Sequence, residues 1–107
     1  MIYISHPYTG NEKQNIEDAE NIAVELAKKN PDILFINPIA TMKHNGIAGR
    51  SYKAIIKNCL ELLGHCDGII FTGDWQNSKG CMCEYGYAKA KGLLLYDGVE
   101  NFNKTHS

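Results

Sequence analysis

The chain has 107 residues, 11 Lys+Arg against 12 Asp+Glu for a net charge of -1, and 44% apolar residues. That is the profile of one compact domain able to bury a core without disulfides or metal, with no room for a second. The lysines are scattered, so no field is strong enough to hold a duplex backbone, which argues against nucleic acid as a partner.

Ile2-Tyr3-Ile4 is a short β-branched and aromatic run, broken by Pro7 and Gly10, and reads as a strand followed by a loop. From Asn15 the apolar residues Ile16, Ala19, Ala23, Leu26 and Ala27 recur at helical steps, acidic residues come early, lysines late, and Asn30-Pro31 is a stop. Ile33-Leu34-Phe35-Ile36, ended by Asn37-Pro38, predicts a buried second strand. Residues 39–50 show no sustained period and read as a loop that could reach over a site. Ser51 offers an N-cap for a helix carrying Ile55, Ile56, Cys59, Leu60, Leu62 and Leu63, with Gly64 as its C-terminal signal. Ile69-Ile70-Phe71-Thr72 predicts a third strand, and the polar loop Gly73–Gly80 opens a helix from about Cys81 to Lys91. Gly92 stops it, Leu93–Tyr96 forms a fourth strand, and Asp97–Ser107 is expected to be a tail or a final short turn.

Alternating strands and helices predict right-handed βαβ units and a mainly parallel four-stranded α/β sheet, order 2-1-3-4, with helices on both faces, in one domain over 1–107. In that order the loops after strands 1 and 3 meet at the carboxyl edge, where such folds bind ligands. The candidate binding residues are Ser5, His6, Tyr8 and Gly10 from the first loop, and Gly73, Trp75, Ser78 and Gly80 from the third.

Cys59, Cys66, Cys81 and Cys83 match no zinc or redox spacing and are expected to be small buried or half-buried thiols. On a helix, Cys81 and Cys83 sit about 200° apart and cannot chelate one ion together. Nothing else calls for a metal or a cofactor. There is no basic n-region, no apolar h-region and no run of 18 apolar residues, so neither a signal peptide nor a membrane span is expected, and the cytosol is the default location.

Several of these residues carry a resemblance: Ile2 through Gly10, then Asn15 and Ala19, Asn37-Pro38, Cys66-Asp67-Gly68-Ile69-Ile70, and Gly73-x-Trp75-x-x-Ser78-x-Gly80-x-x-x-Glu84-x-Gly86-x-Ala88. The ordered set, from residue 1 to about 96, resembles the nucleoside 2-deoxyribosyltransferase-like superfamily, including its small bacterial and phage members. The resemblance implies a flavodoxin-like, Rossmann-like three-layer fold and cleavage of an N-glycosidic bond in a nucleoside or nucleotide. It also implies a glutamate nucleophile at Glu84, a bacterial or phage-infected host cytosol, and homodimers or larger homo-oligomers.

Glu84 falls about one turn inside a helix that starts on the ligand-binding edge, so the positive helix end is expected to keep it ionised and suited to attack. Its alternative is an ordinary solvated helix residue. Ser78 stands where the resembled transferases tend to carry Asp and the nucleotide glycosidases Ser; it either accepts a phosphate or caps the helix. Gly80 allows close backbone approach or a tight turn, and Tyr8 either stacks on a ligand or covers the sheet edge. His6 either bonds a phosphate or has no task, Trp75 packs a loop or touches substrate, and Asn15 caps the first helix or holds the loop of Tyr8. Asp67 is expected at the opposite edge. Cys59 stands where the family often places an aspartate, which leaves two readings: an enzyme acting through Glu84, or a nucleotide binder without turnover. An NAD-cleaving activity is a third, more remote one.

Overall fold

The computed structural model describes residues 1–106. Four strands, β1 (Ile2–Ser5), β2 (Phe35–Ile36), β3 (Gly68–Phe71) and β4 (Leu94–Asp97), form one sheet in the order β2-β1-β3-β4. Every neighbouring pair is parallel, with Ile2 opposite Gly68 and Ser5 opposite Phe71 in the central pair. The predicted order is therefore the one observed, and the fold is a flavodoxin-like three-layer sandwich.

β1 and β3 are buried along their whole lengths, and side-chain alternation sorts their residues between the two layers. Ile2, Ile4 and Ile70 pack with Leu26 of α1 (Glu12–Lys29) and Phe102 of a C-terminal helix. Tyr3, Ile69 and Phe71 pack on the other side with Cys59, Leu63 and Ala88. Those last three come from two helices, Tyr52–Leu63 and Lys79–Lys91. Each fully buried Ile, Leu or Phe contributes roughly 1.5–3 kcal/mol, so the two layers clamp the central strands from both sides. Ser5 shares the face of Tyr3, which places its hydroxyl under the Lys79–Lys91 helix.

Several boundaries differ from the sequence reading. α1 begins at Glu12 rather than Asn15, because its polar first turn carries no apolar period; the Gly10 N–H donates to Glu12 Oε2 at 2.6 Å. β2 keeps only Phe35–Ile36, with Leu34 60% exposed. Residues 39–50 are not a loop: α2 (Pro38–Thr41) and α3 (Lys43–Ile47) occupy most of them, each too short to show a helical period. The helix after them, α4 (Tyr52–Leu63), is capped as expected, with Ser51 Oγ accepting from the Ala54 N–H at 3.2 Å. A single 3₁₀ turn over Trp75–Asn77 precedes α5 (Lys79–Lys91), which ends on Gly92 in the left-handed conformation at φ 73.

The expected tail is the largest correction. Asp97 belongs to β4, and α6 (Val99–Thr105) docks Phe102 at 0% exposure against β1 and β3; Ser107 of that stretch lies outside the described residues. Two apolar residues, Val99 and the aromatic anchor Phe102, in a helix of seven are invisible to a periodicity argument but sufficient to seat it. Cys83 is also corrected: Cys59, Cys66 and Cys81 are buried, whereas Cys83 is exposed. Among the described residues no helix is long and apolar enough to cross a membrane, and no group of three His, Cys, Asp or Glu side chains is placed to hold a metal ion.

Candidate active site

The carboxyl edge of β1 and β3 opens into two adjoining cavities. The inner one, about 450 Å³, runs between α1, α2 and α4 and reaches Glu84, Cys59 and Cys81. The outer one, about 790 Å³, lies over the start of α5 and the first loop, with Asn11, Gly73, Asp74 and Lys79 in its wall. His6, Thr9, Tyr52, Ser78 and Gly80 border both cavities and so mark the passage between them. The larger cavity does not touch Glu84; the smaller one carries the carboxylate.

Glu84 sits in the second turn of α5 and is only 6% exposed. The Tyr3 hydroxyl donates to its Oε2, and the Ser5 hydroxyl donates to its Oε1 at 2.7 Å. Both donors come from alternate positions on one face of β1, so two residues of a single strand hold both carboxylate oxygens. Burial pushes the Glu84 pKa above its ordinary value, while the two hydroxyls pull in the opposite direction by bonding the ionised form. This corrects the expectation that the helix end sets its charge: the helix field fades beyond the first turn, and burial dominates. It also removes the alternative of a solvated surface residue.

Tyr3 stays neutral and a donor, because burial, and then the Glu84 charge, raise its pKa well above 10.0. Cys59 is pushed up to about 11 by burial and by the Glu84 charge, opposed by the Tyr3 hydroxyl. It is a neutral thiol, part of the core around Tyr3 and Leu63 while also lining the inner cavity.

His6 is fixed by a short chain of hydrogen bonds. The Thr72 hydroxyl donates to the Ser5 carbonyl at 2.9 Å, and His6 Nδ1 lies 2.8 Å from the same Thr72 oxygen. Burial lowers the His6 pKa, against the opposing charge of Asp18. Gly73, at φ 63, passes close to the ring; a Cβ there would stand 2.9 Å from His6 Cε1. Both the left-handed backbone and the ring contact call for glycine at this position.

Ser78 caps α5, its Oγ accepting from the Cys81 N–H at 3.3 Å. The hydroxyl proton is left to donate, so capping and ligand contact are compatible. Gly80 brings the backbone near Tyr52, where a Cβ would lie 3.4 Å from the phenol oxygen. Tyr8 lines the inner cavity at 48% exposure, and Asn15 holds its loop by donating from Nδ2 to the Tyr8 carbonyl at 3.0 Å. Gly10, at φ 107, turns the chain at the rim of the outer cavity. Trp75 lines neither cavity; it stacks on Phe71 at 4.5 Å between ring centroids and donates to Asp97 Oδ1 at 3.1 Å. Asp67 lies at the far edge, paired with the N-terminal ammonium at 2.7 Å.

Tyr3, Asn37, Tyr52 and Thr72 belong to the site without being among the candidates. Tyr3 was legible, because alternation places it beside Ser5, and Asn37 stands in the Asn37-Pro38 pair that carries the resemblance; Tyr52 and Thr72 carried no signal of a site role. Asn37 leads into α2 at the wall of the inner cavity, and its buried Oδ1 has no hydrogen-bond partner among the described residues.

Fold and cleft together define a doubly wound α/β protein with a carboxylate clamped at the carboxyl edge of its sheet. The chain belongs to the DUF4406 family, a domain of unknown function, whose sequence profile matches residues 1–97. No curated protein and no solved structure matches it.

Proposed function

We propose that this protein cleaves or transfers the N-glycosidic bond of a nucleoside or nucleoside 5'-monophosphate, with Glu84 as nucleophile. The observation that carries the reading is the Glu84 carboxylate, held by Tyr3 and Ser5 at a largely apolar cavity. A carboxylate with both oxygens fixed loses little freedom on attack, and the apolar walls suit a flat base. Glu84 forms a bond to the anomeric carbon as the bond to the base breaks, with its electron pair leaving on the base. Water or a second base then resolves the glycosyl ester. The start of α5, with the Ser78 hydroxyl and the Lys79 and Gly80 N–H groups, which have no partner among the described residues, suits a 5'-phosphate.

This reading extends the resemblance to the nucleoside 2-deoxyribosyltransferase-like superfamily, and with it the expectation of a small-molecule ligand, a homo-oligomer and a cytosolic location. The test incubates the protein with a panel of nucleosides, their monophosphates and NAD, and follows free base by mass spectrometry. Base release that Glu84→Gln abolishes is the expected result; unchanged release in that variant would sink the nucleophile assignment.

One observation favours a second reading, a nucleotide binder without turnover. Cys59, pushed up to about 11, is a poor proton donor to a departing base. Saturable nucleotide binding with no base released across the whole panel would select it.

A further inference from the structure

We infer that His6 recognises a sugar hydroxyl of the ligand by accepting its proton in a hydrogen bond at Nε2, which makes His6 a determinant of sugar specificity rather than a phosphate ligand. The inference rests on the nucleotide reading above for the identity of the ligand.

The argument starts from one proton. A hydroxyl carries a single hydrogen, and that of Thr72 is committed to the Ser5 carbonyl, which can only accept. The contact between His6 Nδ1 and Thr72 Oγ1, at 2.8 Å, is therefore an N–H donated by the ring. A neutral imidazole with its proton on Nδ1 presents a bare lone pair at Nε2. No residue among those described takes that lone pair, and the ring is held at its Nδ1 edge, where Thr72 bonds it and Gly73 passes close beside it.

The position of the ring selects the partner. His6 borders both cavities, at the passage between the carboxylate-bearing inner one and the outer one over the start of α5. A nucleotide spanning them, with its base inward and its phosphate at α5, puts the sugar at that passage. A phosphate dianion has no proton to give to a lone pair and is repelled by it; a sugar hydroxyl has one. Burial lowers the His6 pKa, which keeps the ring in the accepting form at neutral pH.

The test has two arms. In the first, the Glu84→Gln protein, which does not consume its ligand, is titrated calorimetrically with the four common ribonucleoside 5'-monophosphates and their 2'-deoxy and 3'-deoxy forms. For a nucleotide that binds, one deoxy form should bind about threefold to tenfold more weakly, the size of one neutral hydrogen bond. His6→Ala in the same background should bind parent and deoxy forms equally. Discrimination that survives His6→Ala overturns the inference while leaving the nucleotide reading intact. If no nucleotide binds, the nucleotide reading fails and the inference goes with it. In the second arm, which needs no substitution at His6, nitrogen NMR of the ligand-free protein should show the His6 proton on Nδ1 and an unprotonated Nε2. A proton on Nε2 of the neutral ring overturns the inference whatever the titrations give.

Discussion

At the scale of single residues, Glu84 is governed by burial against two hydroxyl donors, and the balance has a readable sign. Its pKa in the folded protein is raised above the ordinary 4.5, so the folded state holds the proton more tightly than the unfolded chain. The stability this group contributes is complete below 4.5 and is lost as pH rises through the folded value, leaving the ionised form a cost at neutral pH. Glu84→Gln is therefore expected to melt at or above the wild-type temperature at neutral pH, and the difference should shrink on acidification toward pH 4.5. Thermal melts of both proteins across that range check it, and a gap that widens toward acid reverses the sign.

Cys59 sits beside the same carboxylate, which sharpens what an acid in its place would do. The residue is 8% exposed and packs with Tyr3, Leu63 and Phe71. Cys59→Asp puts a second carboxyl next to a buried one, and the two cannot both ionise cheaply. A loss of about 1–3 kcal/mol is expected at neutral pH, relieved as the pH falls. Equal melting temperatures for variant and wild type at neutral pH would take the Cys59 side chain out of the core.

Among the secondary-structure elements, the start of α5 performs two tasks that one substitution can separate. Ser78→Asp keeps a good N-cap, so stability should change by only a few tenths of a kcal/mol, whereas Ser78→Ala should cost about 1 kcal/mol. Aspartate also places a negative charge where the phosphate is proposed to sit. Calorimetry of Ser78→Asp should show the preference for a 5'-monophosphate over its nucleoside lost, with the melting temperature kept. A retained preference would move the phosphate away from this helix end. β1 works in the same economical way: Tyr3 and Ser5 build the floor of the site from one face, while Ile2 and Ile4 build the core from the other. Sheet alternation makes that division unavoidable once the strand is central.

For the whole molecule, the C-terminal residues close the fold rather than trail from it. Phe102 is fully buried, meets Phe35 edge-on at 5.6 Å and Tyr96 at 5.0 Å, and packs with Ile2, Ile4 and Leu26. Phe102→Ala should cost about 3–5 kcal/mol, a large share of what a domain this size has. Denaturant unfolding checks it; a loss under about 1 kcal/mol would mean that α6 is not part of the cooperative unit.

How much of this was legible in the sequence differs by element and has physical causes. The central strands, α1 and α4 could be read because each repeats its pattern over several residues, α5 because a polar glycine-bounded loop and Gly92 bracket it, and the order 2-1-3-4 follows from right-handed crossovers between parallel strands. Ser51, Ser78 and Gly92 declared their helix ends locally, since capping is chemistry between near neighbours. α2, α3 and α6 are too short to repeat anything, and packing alone seats them. The loops that meet at the site were likewise readable, because topology brings them together. The environment within them was not. Glu84 is separated from Ser5 by 79 positions and from Tyr3 by 81, and His6 from Thr72 by 66. The charge of a buried carboxylate and the tautomer of an imidazole depend on which donors reach them across such separations. Local sequence therefore determined the strands, the longer helices and the edge at which they gather their polar loops. Only the tertiary structure decided that Glu84 is buried, that Trp75 turns away from the cleft, and that His6 meets Thr72 across the sheet edge.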